Sequence, residues 1–298
     1  MYNQDVLKKI GNTPLVELKK VNPNYRTKIM AKLEGFNPTG SIKDRIALAM
    51  VEKAEKSGLL TKDKTIIEPT SGNTGISLAM VCAIKGYKLK IIMPESMSVE
   101  RRKMIKAFGA ELILIRQEDW RGAAVNATKQ LLEQDPDLFM LNQFENEANR
   151  TIHYETTGQE ILDQMNGEKI DYFVAGLGTG GTISGVAKKI KEKFPEVKVI
   201  GLQPVLGQKI EGLRSLKEGY TPPVMDLKLI DEIMEVSEQE AFSALRDLAK
   251  KEGIFAGPSS GAALFVSLKI AEKIPEGNII TIFPDRGEKY LSTEAFNN

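Results

Sequence analysis

Residues 172–182 read Tyr172-Phe173-Val174-Ala175-Gly176-Leu177-Gly178-Thr179-Gly180-Gly181-Thr182. A short apolar run passes at once into a glycine-rich turn, and the turn opens a stretch, 182–193, whose apolar residues recur at helical spacing. A buried strand, a tight loop and a helix are expected in succession. The same alternation runs along the chain. Apolar, β-rich runs lie at 65–69, 89–94, 111–115, 171–175, 197–202 and 278–283, with amphipathic stretches at 42–56, 74–85, 99–108, 122–133, 182–193 and 238–251. This order predicts an α/β protein with parallel-type twisted sheets and right-handed crossovers, in which ligands gather at the C-terminal ends of the strands. Polar and glycine clusters follow strands at 70–75, 176–182 and 285–288, which marks those loops as places for chemistry.

The turn at 176–182 formally matches the G-x-G-x-x-G spacing of phosphate-binding loops. A dinucleotide site also needs an acidic residue about twenty positions further on, at the tip of the next strand. That strand, 197–202, instead ends at Gln203-Pro204, so a smaller phosphate ligand fits better. A nucleotide P-loop is disfavoured too: Gly35-Phe36-Asn37-Pro38-Thr39-Gly40 is followed by Ser41 where the phosphate-binding lysine should stand.

The segment Pro38-Thr39-Gly40-Ser41-Ile42-Lys43-Asp44-Arg45 delivers a lysine into the first turn of a helix. There the positive end of the helix dipole disfavours the ammonium and lowers its pKa. A lysine of lowered pKa forms Schiff bases, and such a lysine beside a phosphate loop is the minimum equipment for pyridoxal phosphate. Taken alone, Lys43 is one more solvated surface charge; its company gives it meaning. Glu68-Pro69-Thr70-Ser71-Gly72-Asn73-Thr74-Gly75 ends a strand and opens a helix with hydroxyls, an amide and glycines, a composition that can hold a carboxylate or a phosphate. It is equally the composition of an ordinary capped helix start. Gly257-Pro258-Ser259-Ser260-Gly261 is a further turn that opens an apolar helix.

Composition narrows the chemistry. The 298 residues favour two domains of ordinary size or one large α/β domain, and no internal repeat or long linker divides them. Lys plus Arg total 41 against 40 Asp plus Glu, so the net charge of +1 gives no electrostatic reason to expect nucleic acid or an anionic membrane as a partner. The charged stretch 1–10 lacks the apolar core of a signal peptide, and the longest apolar run, 76–84, is too short to span a bilayer. A cytoplasmic enzyme acting on small molecules is expected. The single cysteine, Cys82, sits among apolar residues as a small core filler, and the single histidine, His153, is read as structural or surface. No intrachain disulfide, Cys-rich zinc site or multi-His metal site can be built from them, and an enzyme this poor in both residues uses carboxylates and lysines or borrows chemistry from a cofactor.

Together these segments resemble the cysteine synthase and cystathionine β-synthase branch of the tryptophan-synthase-β-like (fold type II) pyridoxal-phosphate enzymes. The resemblance begins at Ile10-Gly11-Asn12-Thr13-Pro14-Leu15, takes in Lys32-Leu33-Glu34 and 41–45, and runs through both loops to Tyr290-Leu291-Ser292-Thr293. Glu100-Arg101-Arg102, Gly212-Leu213-Arg214 and Glu252-Gly253-Ile254-Phe255 look most like the cysteine synthase B subgroup, while Pro258 stands where a branched apolar residue is usual. The resemblance implies two α/β domains, a smaller mobile one at 38–146 carrying the substrate-carboxylate loop and a larger one of 1–37 and 147–298 carrying the phosphate loop, with the cofactor at their interface. It implies that Lys43 holds pyridoxal 5'-phosphate and later serves as acid and base at Cα. Asn73 would bond the ring hydroxyl, Gly178, Thr179, Gly180, Gly181 and Thr182 would cradle the phosphate, and Ser259 would face the pyridine nitrogen. Thr70, Ser71, Asn73 and Thr74, with Gln143, match the positions that hold a substrate carboxylate, and Arg214 matches an arginine near the mouth of the site.

The activity so implied is that of a transferase: β-replacement of O-acetyl-L-serine with sulfide, or with thiosulfate, through an aminoacrylate, to give L-cysteine and acetate. Alternatives on the same chemistry are an O-phosphoserine sulfhydrylase and a cysteine β-lyase or cystathionine β-synthase-like exchange. A homodimer is expected from the resemblance, and docking of a serine acetyltransferase is left open.

Overall fold

The computed structural model describes residues 5–116 and 120–296, with side chains described except at 117–123. The first four residues of the charged N-terminal stretch, and the side chains of 122 and 123 in the amphipathic stretch 122–133, lie outside the described part. In chain order the strands are β1 (Leu15–Leu18), β2 (Thr27–Leu33), β3 (Thr65–Pro69), β4 (Lys88–Pro94), β5 (Glu111–Ile115), β6 (Leu138–Met140), β7 (Tyr172–Gly176), β8 (Lys198–Pro204), β9 (Glu232–Val236) and β10 (Gly277–Phe283). The helices are α1 (Lys43–Lys56), α2 (Asn73–Lys85), α3 (Val99–Ala107), α4 (Trp120–Gln134), α5 (Ala148–Ile152), α6 (Gly158–Gln164), α7 (Gly181–Lys193), α8 (Glu238–Asp247) and α9 (Pro258–Lys273). The six apolar runs read from the sequence are β3, β4, β5, β7, β8 and β10, shifted at their ends by two residues at most.

The strands form two sheets, one ordered β1-β2-β10-β7-β8-β9 and one ordered β5-β4-β3-β6. All neighbours are parallel except β1 and β2, which pair antiparallel from Leu15 opposite Lys32 to Leu18 opposite Ile29. The inner strands are covered on both faces, which is why β3, β4, β7, β8 and β10 are nearly unbroken apolar runs. In the six-stranded sheet Ile279 packs with residues of α8 and α9, such as Leu245 and Leu264, whereas its neighbour Ile280 packs with Ile161 of α6 and Ile183 and Val186 of α7. In the four-stranded sheet Ile66 joins Met50 of α1 and Ile76 of α2, and Ile67 joins Ala124 of α4. The parallel strands therefore point their C-terminal ends, and the loops that follow, toward a shared region.

Helix α1 is held at its start by charge. The Arg45 guanidinium donates to Glu34 at 2.8 Å and to Glu160 of α6 at 2.6 and 2.7 Å, and Lys32 reaches Glu160 at 2.8 Å. Arg45, Glu34 and Lys32 are all buried, so each must be paired to exist there. The rest of the helix packs Ile46, Met50 and Val51 into the core beside the four-stranded sheet.

Candidate active site

Residues 284–287, which follow β10, draw the loops together. The Ile42 amide donates to the Pro284 carbonyl at 2.8 Å, the Gly257 amide to the Asp285 carbonyl at 3.1 Å, and the Arg286 amide to the Gly40 carbonyl at 3.2 Å. One side of this segment thus carries the turn before Lys43, and the other carries the turn before Ser259. Gly40 takes a positive φ of 76°, open to glycine at little cost, to make the turn that ends at Lys43, the first residue of α1. Asp44 closes it by accepting the Thr39 amide at 2.7 Å, the Thr39 hydroxyl, and the Ser77 hydroxyl at 2.6 Å. Burial pushes the Lys43 pKa down to about 8, and the nearby Asp285 carboxylate works against it. The lowered pKa expected from the sequence is therefore present with burial as its main cause.

The loop 70–74 lies at the C-terminal end of β3. The Thr74 hydroxyl donates to Gln143 Oε1 at 2.7 Å, which joins it to the loop after β6. That second loop turns at Asn142, whose φ is 54°, and is held by Glu68 of β3, which accepts the Asn142 and Gln143 amides, both at 3.0 Å. Glu68 is 1% exposed; burial raises its pKa to about 7 although those amides oppose the rise. Ser71 and Asn73 are half-buried at the bend where α2 begins.

Asn149 ties this loop to the glycine turn: its amide nitrogen donates to the Gln143 carbonyl at 2.8 Å and to the Thr179 hydroxyl at 3.0 Å. The turn itself is a bare backbone cradle. A Cβ at Gly178 would come within 2.8 Å of the Gly212 carbonyl, one at Gly180 within 2.4 Å of Met225, and one at Gly181 within 2.0 Å of Asn149. Gly180 also has a φ of 87° and caps the 13-residue α7, so the free amides of a helix start face the cradle. The Thr182 hydroxyl meets His153 Nε2 at 3.2 Å, and His153 Nδ1 meets Thr157 at 2.9 Å. His153 is fully buried and its pKa is pushed well below the ordinary value, by burial first and then by Lys43 and Arg45. It is a neutral support behind the turn.

Ser259, 4% exposed, lies in the first turn of α9 behind Pro258 at N1, and its Oγ would stand 3.6 Å from a Cβ at Gly212. Arg214 is linked to the same region, its amide donating to the Leu177 carbonyl at 2.7 Å, with its guanidinium 5.3 Å from the Phe144 ring and 4.7 Å from the Tyr220 ring. Contacts thus connect the residues picked from the sequence, from Gln143 and Thr74 through Asn149 to Thr179, and from Gly178 through Gly212 to Ser259. Sequence reasoning missed Glu68, Asn149, Asp285 and Arg101. The buried Arg101 reaches Glu211 at 2.5 Å and lies 4.4 Å over the Tyr290 ring. Of these Asp285 had a local signal in the polar cluster after the last strand, and Arg101 lay in the Glu100-Arg101-Arg102 motif without a role being read for it.

The arrangement suits a small phosphorylated aldehyde. It offers a half-buried lysine whose amine has a lowered pKa, a helix start that side chains would fill, and the buried oxygen of Asn73, which has no hydrogen-bond partner among the described residues. The chain belongs to the family of pyridoxal-phosphate dependent enzymes, whose pattern it matches over residues 6–285, and its two helix-covered sheets form the tryptophan-synthase-β-like, type II fold of that family. Within the family it is similar to cysteine synthases. It is 44% identical over 296 residues to the cysteine synthase of Staphylococcus aureus (strain N315), covering 97% of this chain and 95% of that one. It is 43% identical over 287 residues to cysteine synthase B of Escherichia coli (strain K12), covering 96% and 94%. The crystal structure of a hydrogen sulfide-producing enzyme from Fusobacterium nucleatum superimposes with a TM-score of 0.92 at 43% identity, over 97% of this chain and all of that one. Among the described residues no helix is long and apolar enough to cross a membrane.

Proposed function

We propose that the protein is a cysteine synthase that replaces the acetoxy group of O-acetyl-L-serine with sulfide, releasing acetate and L-cysteine. The observation that carries this reading is the Lys43 amine near Asp285, which holds Asn73 of the carboxylate-type loop, with that loop joined to the glycine cradle through Asn149. Lys43 would hold the pyridoxal phosphate, residues 178–182 its phosphate, Asn73 its ring oxygen and Ser259 its ring nitrogen. When bound, the cofactor supplies an electron sink for the pair left at Cα. Thr70, Ser71, Asn73 and Thr74, with Gln143, bind and orient the substrate carboxylate. Lys43, free as an amine once substrate has taken its place, removes the Cα proton. Acetate leaves Cβ, sulfide bonds to Cβ, and Lys43 returns a proton to Cα. The Ser259 hydroxyl does not force a proton onto the ring nitrogen as a carboxylate would, and this weaker sink favours elimination at Cβ over other fates. Residues 38–146 act as the smaller, mobile unit and close over the substrate, which excludes water from Cβ.

A second reading, release of sulfide from L-cysteine, is favoured by the likeness to the Fusobacterium nucleatum enzyme. One experiment separates the readings. Purified protein is given O-acetylserine, O-phosphoserine or serine with sulfide, and cysteine alone, with Lys43→Ala as control. The highest kcat/KM is expected for O-acetylserine, and Lys43→Ala should be inactive with every substrate. Faster sulfide release from cysteine than cysteine formation would replace the first reading with the second, and wild-type rates in Lys43→Ala would sink both.

A further inference from the structure

Asp285 has no part in the scheme above, yet it touches the scheme's residues. It follows β10, is 2% exposed, and is gripped through its backbone by the turns that carry Lys43 and Ser259. Its Oδ2 accepts the Asn73 amide nitrogen at 2.7 Å and the Tyr290 hydroxyl. Its Oδ1 fills the space that a side chain at Gly257 would need, 2.1 Å from such a Cβ, and has no hydrogen-bond partner among the described residues. A carboxylate only accepts, which obliges Asn73 to present its NH2 to Asp285 and turn its oxygen away. That oxygen is buried and has no hydrogen-bond partner among the described residues. The ionisable groups around Asp285 are Lys43 from α1, and Lys289 and Tyr290 from its own loop, with Arg101 of α3 beyond the tyrosine. Lys289 is committed to the Gly40 carbonyl at 2.7 Å. Burial raises the Tyr290 pKa far above its ordinary value, so the phenol stays a donor.

We propose that Asp285 is a positioning residue of the lysine pocket, fixing the Asn73 side chain by accepting its amide nitrogen and placing a negative charge beside Lys43. The inference rests on the assignment of Lys43 as the cofactor lysine. Two substitutions separate its halves. Asp285→Asn keeps an acceptor for the Asn73 nitrogen and removes the charge, whereas Asp285→Ala removes both.

The test uses the full-length protein stripped of cofactor and mixed with pyridoxal phosphate across a range of pH. Only the unprotonated amine condenses with the aldehyde, losing water, so borohydride trapping followed by mass spectrometry of the Lys43 peptide reports the amine's titration. Wild-type trapping should have its midpoint near the lysine's pKa of about 8. In Asp285→Asn the midpoint should fall by about one unit or more, the effect of removing an opposite charge, while cofactor affinity stays within roughly threefold of wild type. In Asp285→Ala affinity should also fall, by roughly tenfold or more. An unchanged midpoint in Asp285→Asn overturns the proposal, as does wild-type affinity in Asp285→Ala, and Asp285→Asn alone decides it should the alanine variant not fold. Label absent from Lys43 in the wild type would instead remove the lysine assignment itself.

Discussion

At the scale of single residues, Arg214 has the sharpest consequence. Its guanidinium lies against the rings of Phe144 and Tyr220 beside the loop that carries Gln143, a setting that holds its planar fork in one orientation. Such a fork suits phosphate or sulfonate oxygens better than an acetyl group. Arg214→Ala is expected to lower kcat/KM for O-phosphoserine, and for thiosulfate as sulfur donor, by roughly ten- to a hundredfold, the loss of about 1.5 to 3 kcal/mol from one charge-assisted contact. Turnover of O-acetylserine with sulfide should change far less, and equal losses on all substrates would make the residue structural. Ser259→Asp tests the opposite end of the site. A carboxylate there should favour a protonated ring nitrogen, alter the visible absorbance of the holoenzyme and slow elimination; an unchanged spectrum and rate would show that position 259 does not touch the ring.

At the scale of elements, the loop 141–144 depends on one buried side chain. Gln143 is placed by Glu68, which takes two consecutive amides from a turn whose Asn142 already has a positive φ. Glutamine at 68 offers one acceptor and one donor where two acceptors are needed. Glu68→Gln should raise the KM for the amino-acid substrate about tenfold with a smaller change in kcat. With a pKa of about 7, Glu68 gains a proton as the pH falls through neutrality and loses an acceptor, so wild-type KM should rise below pH 7 while the variant's stays flat. Parallel KM profiles in the two proteins would exclude this role.

The elements also mark the reach of sequence reading. The strands covered on both faces, β3, β4, β5, β7, β8 and β10, were legible because burial on both sides leaves a continuous apolar run. The edge strand β9, Glu232-Ile233-Met234-Glu235-Val236, was not, because its charged positions are exposed. In β2, Lys32 breaks the run and is tolerated through the Thr13 carbonyl and through Gln164 and Glu160, partners that lie far along the chain. Lys43, the glycine turn and Ser259 announced themselves through local composition. Glu68 and Asn149 could not, since their importance lies in contacts with residues brought near by the fold, and the polar cluster at 285–288 marked the loop of Asp285 but not its partners.

At the scale of the whole molecule, the Arg45 cluster ties α1 to the six-stranded sheet while α1 packs on the four-stranded one. Burial would raise the Glu160 pKa, but Arg45 and Lys32 outweigh it and hold it at about 2. A carboxylate depressed in the folded state stabilises the protein above its unfolded pKa, about 4.3 for glutamate, and that stability is lost as pH falls from there toward 2. Glu160→Gln should therefore be less stable at neutral pH by about 1.5 to 3 kcal/mol, with the deficit shrinking between roughly pH 4.5 and 2. A deficit constant across that range in denaturant titrations would contradict this. The homodimer expected from the family resemblance should appear in sedimentation as twice the 33.0 kDa chain at micromolar concentration, and a single-chain mass would reject it.

The pairing of β2 with β10 has a consequence for how the protein is made. Thr27 lies beside Gly277 in the six-stranded sheet, so a chain emerging from the ribosome cannot complete that sheet until its last strand has been synthesised. The four-stranded sheet is contiguous between Thr65 and Met140 and can close long before. The turn that presents Lys43 leans on residues 284–287, which arrive later still. A nascent chain halted before Gly277 would carry the lysine without its pocket, and its competence to take up cofactor would come only once residues 277–287 had been made.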